Sequence, residues 1–217
     1  MLIQALHRVT QRLADAAGRA GRPAPRLLAV SKTQPAAAIA ELAAAGQRAF
    51  GENYVQEALA KQAELERAAP RALPLEWHLI GHLQSNKARE AATAFDWVQT
   101  VDRAKLVAAL ARHRPADAPP LNVLIQVNID DETSKHGCTP QDVPSLAAAI
   151  AAEPRLRLRG LMAIPAPAPE EAVRRDAFAR MRRLFEALAA EHPQVDTLSM
   201  GMSCLLYTSD AADDLIG

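Results

Sequence analysis

The chain has 217 residues, with 25 basic and 25 acidic side chains and a formal net charge of zero. That length suits one large domain or two small ones, and a domain of that size can bury a sizeable core; the balanced charge gives no electrostatic reason to expect nucleic acid or an anionic membrane as partner. No apolar stretch reaches the roughly 18–20 residues a spanning helix needs, the first residues lack a basic stretch followed by an apolar run, so no signal peptide is expected, and Cys138 and Cys204 lack CxxC or metal-type spacing, so reduced thiols in the cytoplasm are expected.

Leu2, Leu6, Val9 and Leu13 form a helical stripe, ended by Pro23 and Pro25. Residues 26–31 form a short apolar run, expected as a buried strand. A helix over 35–45 follows, with Pro35 in its first turn and Gly46 just past its end. Strand 48–53 precedes a helix over about 55–68, and strand 75–80 a short helix from about Ser85. Strand 96–101 leads into helix 103–113. Strand 121–128 is the clearest, β-branched and set off by a Pro pair. A polar loop, 129–138, ends at Thr139-Pro140, an N-cap with Pro at the first helical position, opening a helix to about Ala152. Strand 156–164, a charged helix over about 170–191 and strand 195–200 complete the series.

Strand then helix, repeated about seven times with short connections, argues for a parallel sheet covered on both faces. A doubly wound sheet and a (β/α)8 barrel both fit, and a barrel needs eight strands. In either fold, sites form at the carboxyl ends of the strands. Those ends carry Ser31-Lys32, Glu52-Asn53, His78 with Gly81-His82, Asn128, Met162 and residues 199–203.

Lys32 ends the run Leu-Leu-Ala-Val-Ser. Desolvation there would disfavour its charged form, expose the nucleophilic amine and allow a Schiff base with a carbonyl. The polar helix start after Gly81 offers backbone amides to an anion. His78 and His82 straddle a strand-to-loop junction rather than one helical face, so no metal site is expected of them. Gly137 permits a φ > 0 turn in the loop after the fifth strand. Residues 199–203 offer two hydroxyls, a glycine and amides as a phosphate cradle. GxGxxG, Walker, GxSxG and HExxH motifs are absent.

Six motifs occur in order: Val30-Ser-Lys-Thr-Gln-Pro35, Phe50-Gly-Glu-Asn-Tyr-Val-Gln-Glu57, Trp77-His-Leu-Ile-Gly-His-Leu-Gln-Ser-Asn-Lys87, Ser134-Lys-His-Gly137, Gly160-Leu-Met162 and Leu198-Ser-Met-Gly-Met-Ser203. Taken together they resemble the pyridoxal phosphate homeostasis protein family. The resemblance implies an α/β fold, the (β/α)8 TIM-like barrel of the alanine racemase N-terminal type, with an extra N-terminal helix. It implies that Lys32 holds pyridoxal 5′-phosphate (PLP) as a Schiff base. By the same resemblance, Asn53 lies near the ring; His78, Gly81 and Asn86 line the pocket; Met162 lies beneath it; and Ser199, Gly201 and Ser203 bind the phosphate.

The family's role is binding and homeostasis of PLP, a form of vitamin B6, without strong catalysis, so no catalytic residue is assigned. PLP-dependent apo-enzymes are candidate recipients, and a monomer is expected. The alternative is a weak PLP-dependent amino-acid racemase. A racemase needs acid/base groups on both faces of the α-carbon, and the only tyrosines are Tyr54 and Tyr207. The resemblance covers residues 1–203, the expected barrel domain. After Ser203 the family's acidic residue, helix and Arg-Ile-Gly-Thr-bearing eighth strand are missing, and residues 204–217 are expected to be a non-native tail. A barrel without its last strand leaves two sheet edges, so poor stability or weak PLP binding is expected.

Overall fold

The computed structural model describes residues 1–69, 74–132, 136–165 and 170–201. The chain divides into two compact units: Met1–Gly81 with Thr93–Trp97, and His82–Ala92 with the described part of Val98–Gly217.

In the first unit, the helix α1 (Leu2–Arg19) precedes β1 (Ala29–Val30), α2 (Ala36–Ala44), β2 (Ala49–Glu52), α3 (Val55–Ala68) and β3 (Glu76–Leu79). The three strands run parallel in chain order, with Val30 beside Gly51 and Gly51 beside His78. β1 is shorter than the apolar run suggests, although Ser31 still donates its amide to Gly51 O at 2.9 Å. Pro35 caps α2 from outside its first turn. Gly46 follows the helix at φ +99°, the left-handed conformation that ends helices at low cost for glycine. All four residues of β2 are buried, as expected for a strand covered on both faces. Phe50 packs beside its register partner Trp77 at 6.4 Å between ring centroids, with Ile39, Val55 and Leu79 also in the core.

In the second unit, a 3-10 turn (Ser85–Lys87) leads into α4 (Ala88–Ala94) and β4 (Trp97–Val101), whose residues Thr93, Ala94 and Trp97 belong to the first unit; then follow α5 (Ala104–His113), β5 (Leu121–Gln126), α6 (Val143–Ala151), β6 (Leu156–Met162), α7 (Glu171–Glu191) and β7 (Thr197–Ser199). β4 to β7 follow chain order, and β6 pairs in parallel with β5 and β7. The predicted cap at Thr139 is a full capping box: Thr139 and Asp142 satisfy each other's exposed donors, and Pro140 opens a 3-10 turn ahead of α6. The loop after β5 does more than expose polar residues. It returns to pair Val127 with Cys138 as a parallel bridge, and Gly137, at φ +125°, turns it there.

β6 carries a bulge. Val123 faces Leu158 but Leu124 faces Gly160, so Arg159 is the extra residue. Its guanidinium grips Asp196 with two bonds, 2.9 and 2.6 Å, and reaches Asn122 Oδ1 at 2.9 Å. Gly160 adopts φ +147°, and a Cβ built there would lie 1.9 Å from Thr197 O. Backbone strain and a backbone clash therefore coincide. Gly160→Ala should destabilise the chain by at least about 2 kcal/mol, read as a lower urea midpoint with unchanged slope.

Candidate functional site

Lys32 stands in the turn directly after β1 and is exposed. What the described residues supply is a fixed backbone on either side of it. Ser31 O closes the turn by accepting from Gln34 N at 3.0 Å. The same carbonyl accepts from Lys61 Nζ at 2.7 Å. Ser31 Oγ donates to Glu52 Oε1 at 2.6 Å. On the other side, Thr33 N donates to Glu57 Oε1 at 2.6 Å.

Lys61 joins these contacts. Its ammonium also donates to Glu52 Oε1 at 2.8 Å and Glu57 Oε1 at 2.7 Å. Its side chain is 8% exposed and that of Glu52 is 0%. Burial pushes the Lys61 ammonium toward neutrality, but hydrogen bonds and charge from the two carboxylates outweigh it and raise its pKa. For Glu57, the Lys61 hydrogen bond leads, holding the carboxyl below its ordinary range. Among the described residues, Glu52 Oε2 is buried without a hydrogen-bond partner, a placement that ordinarily costs about 1–3 kcal/mol.

Asn53, half-buried, follows β2. Gly81, just beyond β3, has no room for a side chain: a Cβ would lie 2.1 Å from Asn53 O. The glycine thus lets two adjacent strand ends approach closely. His78 is buried within β3 and its ring stacks on Trp97 at 5.2 Å and 12°. Its Nε2 lies 2.5 Å from Glu76 Oε1. Glu76 also pairs with Arg26 at 2.9 Å. Burial pushes the Glu76 carboxyl up, but His78 and then Arg26 outweigh it and bring its pKa to about 2.

In the second unit, Asn86 is exposed in the 3-10 turn. Met162, 3% exposed, ends β6 and lies in register with Ser199 at the end of β7. Ser199 Oγ donates to Gln99 Oε1 at 2.7 Å. Gly201 has φ +93°, and among the described residues no atom lies within 4 Å of where a Cβ would sit. Ser203, Ser134, Lys135 and residues 204–217 lie outside the described residues.

Asn128 closes the loop after β5, donating to Glu132 O at 2.8 Å and accepting from Glu132 N at 3.2 Å. Cys138 is buried, and burial pushes its thiol up to about 12, so it is a poor nucleophile. His82, Asp102 and His136 bring ligand atoms within 4.8 Å of one another. The two imidazoles, however, are stacked at 3.8 Å and 17°. Their ring planes are nearly parallel and stacked, so an ion in the plane of one ring lies well out of the plane of the other, and one ring would have to swing for both to meet a single ion.

Reading strand ends finds Lys32, Asn53 and Ser199, but gives no role to Glu52, Glu57, Lys61, Glu76 or Gln99. Only the Glu57–Lys61 spacing, one helical turn apart, is a local signal of pairing.

A match to the alanine racemase N-terminal domain spans residues 4–216. The pyridoxal phosphate homeostasis protein of Pseudomonas aeruginosa is 56% identical over 198 residues, 90% of this chain and 83% of that one. A crystal structure of an unknown protein from Bifidobacterium adolescentis aligns with a TM-score of 0.87 at 33% identity, over 97% of this chain and 89% of that one. PipY of Synechococcus elongatus, solved with PLP bound, aligns with a TM-score of 0.71 at 38% identity, over 94% of each chain. These likenesses give the chain the α/β barrel fold of the alanine racemase N-terminal domain.

Lys61→Met would leave Glu52 buried and unpaired, and should cost about 3–5 kcal/mol in urea unfolding; adding Glu52→Gln should recover part of that loss. Glu76 has a folded pKa of about 2 against an ordinary 4.5, so its contribution is complete above about 4.5 and fades as pH falls toward 2. The stability difference between the wild-type chain and Glu76→Gln should shrink across that window in pH-dependent melts.

Proposed function

Because the chain belongs to the alanine racemase N-terminal domain family, alongside the pyridoxal phosphate homeostasis proteins, we propose that it binds PLP and serves its intracellular homeostasis, holding the cofactor as a Schiff base on Lys32. The observation that carries this reading is an exposed primary amine at the carboxyl end of β1, held between two pinned residues, in a chain 38% identical to a protein solved with PLP bound.

The residues suit such a group. An amine open to solvent is reachable by an aldehyde carbon; its nitrogen adds there in the neutral form and water departs. Asn53 is the proposed ring neighbour in the first unit, with His78 and Gly81 shaping the wall behind it. In the second unit, Asn86 and Met162 are proposed to line the pocket. Ser199, Gly201 and Ser203 are proposed to bind phosphate: Gly201 offers backbone at φ +93°, and the Ser199 hydroxyl is oriented by Gln99. Bound PLP supplies electron-sink chemistry to amino groups.

Holding rather than turnover is favoured by how the acid/base groups near Lys32 are committed. Glu52 and Glu57 serve Lys61, and His78 serves Glu76. Tyr54 is exposed. We further propose a cytoplasmic monomer that passes PLP to apo-enzymes. Among the described residues, no helix is long and apolar enough to cross a membrane.

Titrating the purified chain with PLP should produce the absorbance band of a protonated Schiff base, and Lys32→Ala should abolish it. A band retained in the variant would move the linkage to another lysine; no band in either would overturn the reading. Alanine incubated in heavy water with the loaded chain should keep its α-proton, whereas steady exchange would favour the racemase alternative.

A further inference from the structure

We propose that Glu57, with Lys61 and Glu52, is a positioning residue for Lys32: the three form an ionic clamp that fixes the backbone on both sides of the lysine, so that its amine meets the PLP aldehyde in a set orientation. This rests on the reading that Lys32 takes PLP.

Lys61 is saturated. An ammonium has three donors, and all three are used: on Ser31 O at 2.7 Å, Glu52 Oε1 at 2.8 Å and Glu57 Oε1 at 2.7 Å. One of these acceptors is the carbonyl of the residue before Lys32. Glu57, one helical turn earlier on α3, uses the same oxygen to take the amide of the residue after it, Thr33, at 2.6 Å. Lys32 is thus bracketed by two charge-assisted bonds that converge on one ion pair.

The bracket has conformational work to do. Thr33 has φ +62°, a region that a β-branched residue enters only when its surroundings hold it there. The short bond to Glu57 is the contact that holds it. A device meant only to tie β1, β2 and α3 together would be complete with Lys61, Glu52 and the Ser31 groups. The bond from Thr33 carries the tie past Ser31 into the turn itself, and so determines where the turn presents Lys32. Glu57 also stays charged through neutral pH, since the Lys61 hydrogen bond holds its carboxyl below the ordinary range.

Glu57 is the place to test this, because its side chain is 26% exposed and its loss leaves Lys61 still paired with Glu52. In Glu57→Ala, the rate at which PLP forms its band on Lys32 should fall roughly ten- to a hundredfold, the penalty typical of a small misplacement of a reacting group. Thr33 amide exchange, measured without PLP, should accelerate. Glu57→Gln keeps an acceptor oxygen and should restore much of both. Circular dichroism checks that each variant is folded, and if Glu57→Ala is not, the comparison of Glu57→Gln with wild type decides, with a smaller expected slowing. A wild-type band that the folded variant forms at the same rate overturns the clamp alone. Unchanged Thr33 exchange overturns it too. No band in the wild-type chain overturns the PLP reading and this inference with it.

Discussion

One buried ammonium organises the carboxyl end of the first unit. Lys61 reaches from α3 to the carbonyl of Ser31, just after β1, and to a β2 carboxylate, so the end of β1, β2 and α3 share a single charge cluster. Burying a charge is costly unless its partners are complete. On Lys61 all three donors are matched; on Glu52 one oxygen, among the described residues, is not. That asymmetry makes the cluster sensitive to the removal of any member, and it makes the geometry of the turn at Lys32 a consequence of the ion pair.

Parallel strands set a second constraint. Their ends must come close if side chains from neighbouring strands are to act together, and two positions do so only because they lack a Cβ. Gly81 sits against Asn53 O, and Gly160 against Thr197 O. In the second case the close approach goes with a bulge that turns Arg159 onto Asp196. The amino-acid choice at these places is dictated by backbone approach, and chemistry enters through the neighbours they admit.

The polar groups around Lys32 are nearly all committed to one another, and this bears on what the chain does. A general acid or base has to exchange protons with a substrate. Here the carboxylates of Glu52 and Glu57 balance Lys61, and His78 is locked by Glu76 and Trp97. Such groups hold a lysine still. The same commitments pin the residues that flank the exposed amine at the strand end.

Much of the fold was legible in the amino-acid order, because helix and strand periodicity is a local property. The stripe and breaker residues place α3 at Val55–Ala68 and α7 within a residue of its observed start; the capping box at Thr139 and the glycine after α2 are equally local. Lys32, Asn53, Met162 and Ser199 could be placed at strand ends because strand ends can be counted along the chain. What the tertiary structure alone decided is which of these meet. Ser31, Glu52 and Lys61 are separated by twenty-one and nine positions along the chain, and their convergence depends on the register of β1 on β2 and on the face that α3 turns inward. The pairing of His78 with Glu76 and Trp97, and the exposure of Lys32 where burial was expected, come from the same source. Periodicity says which face of an element is apolar; it carries no distance between side chains on different elements, and at this site those distances are the chemistry.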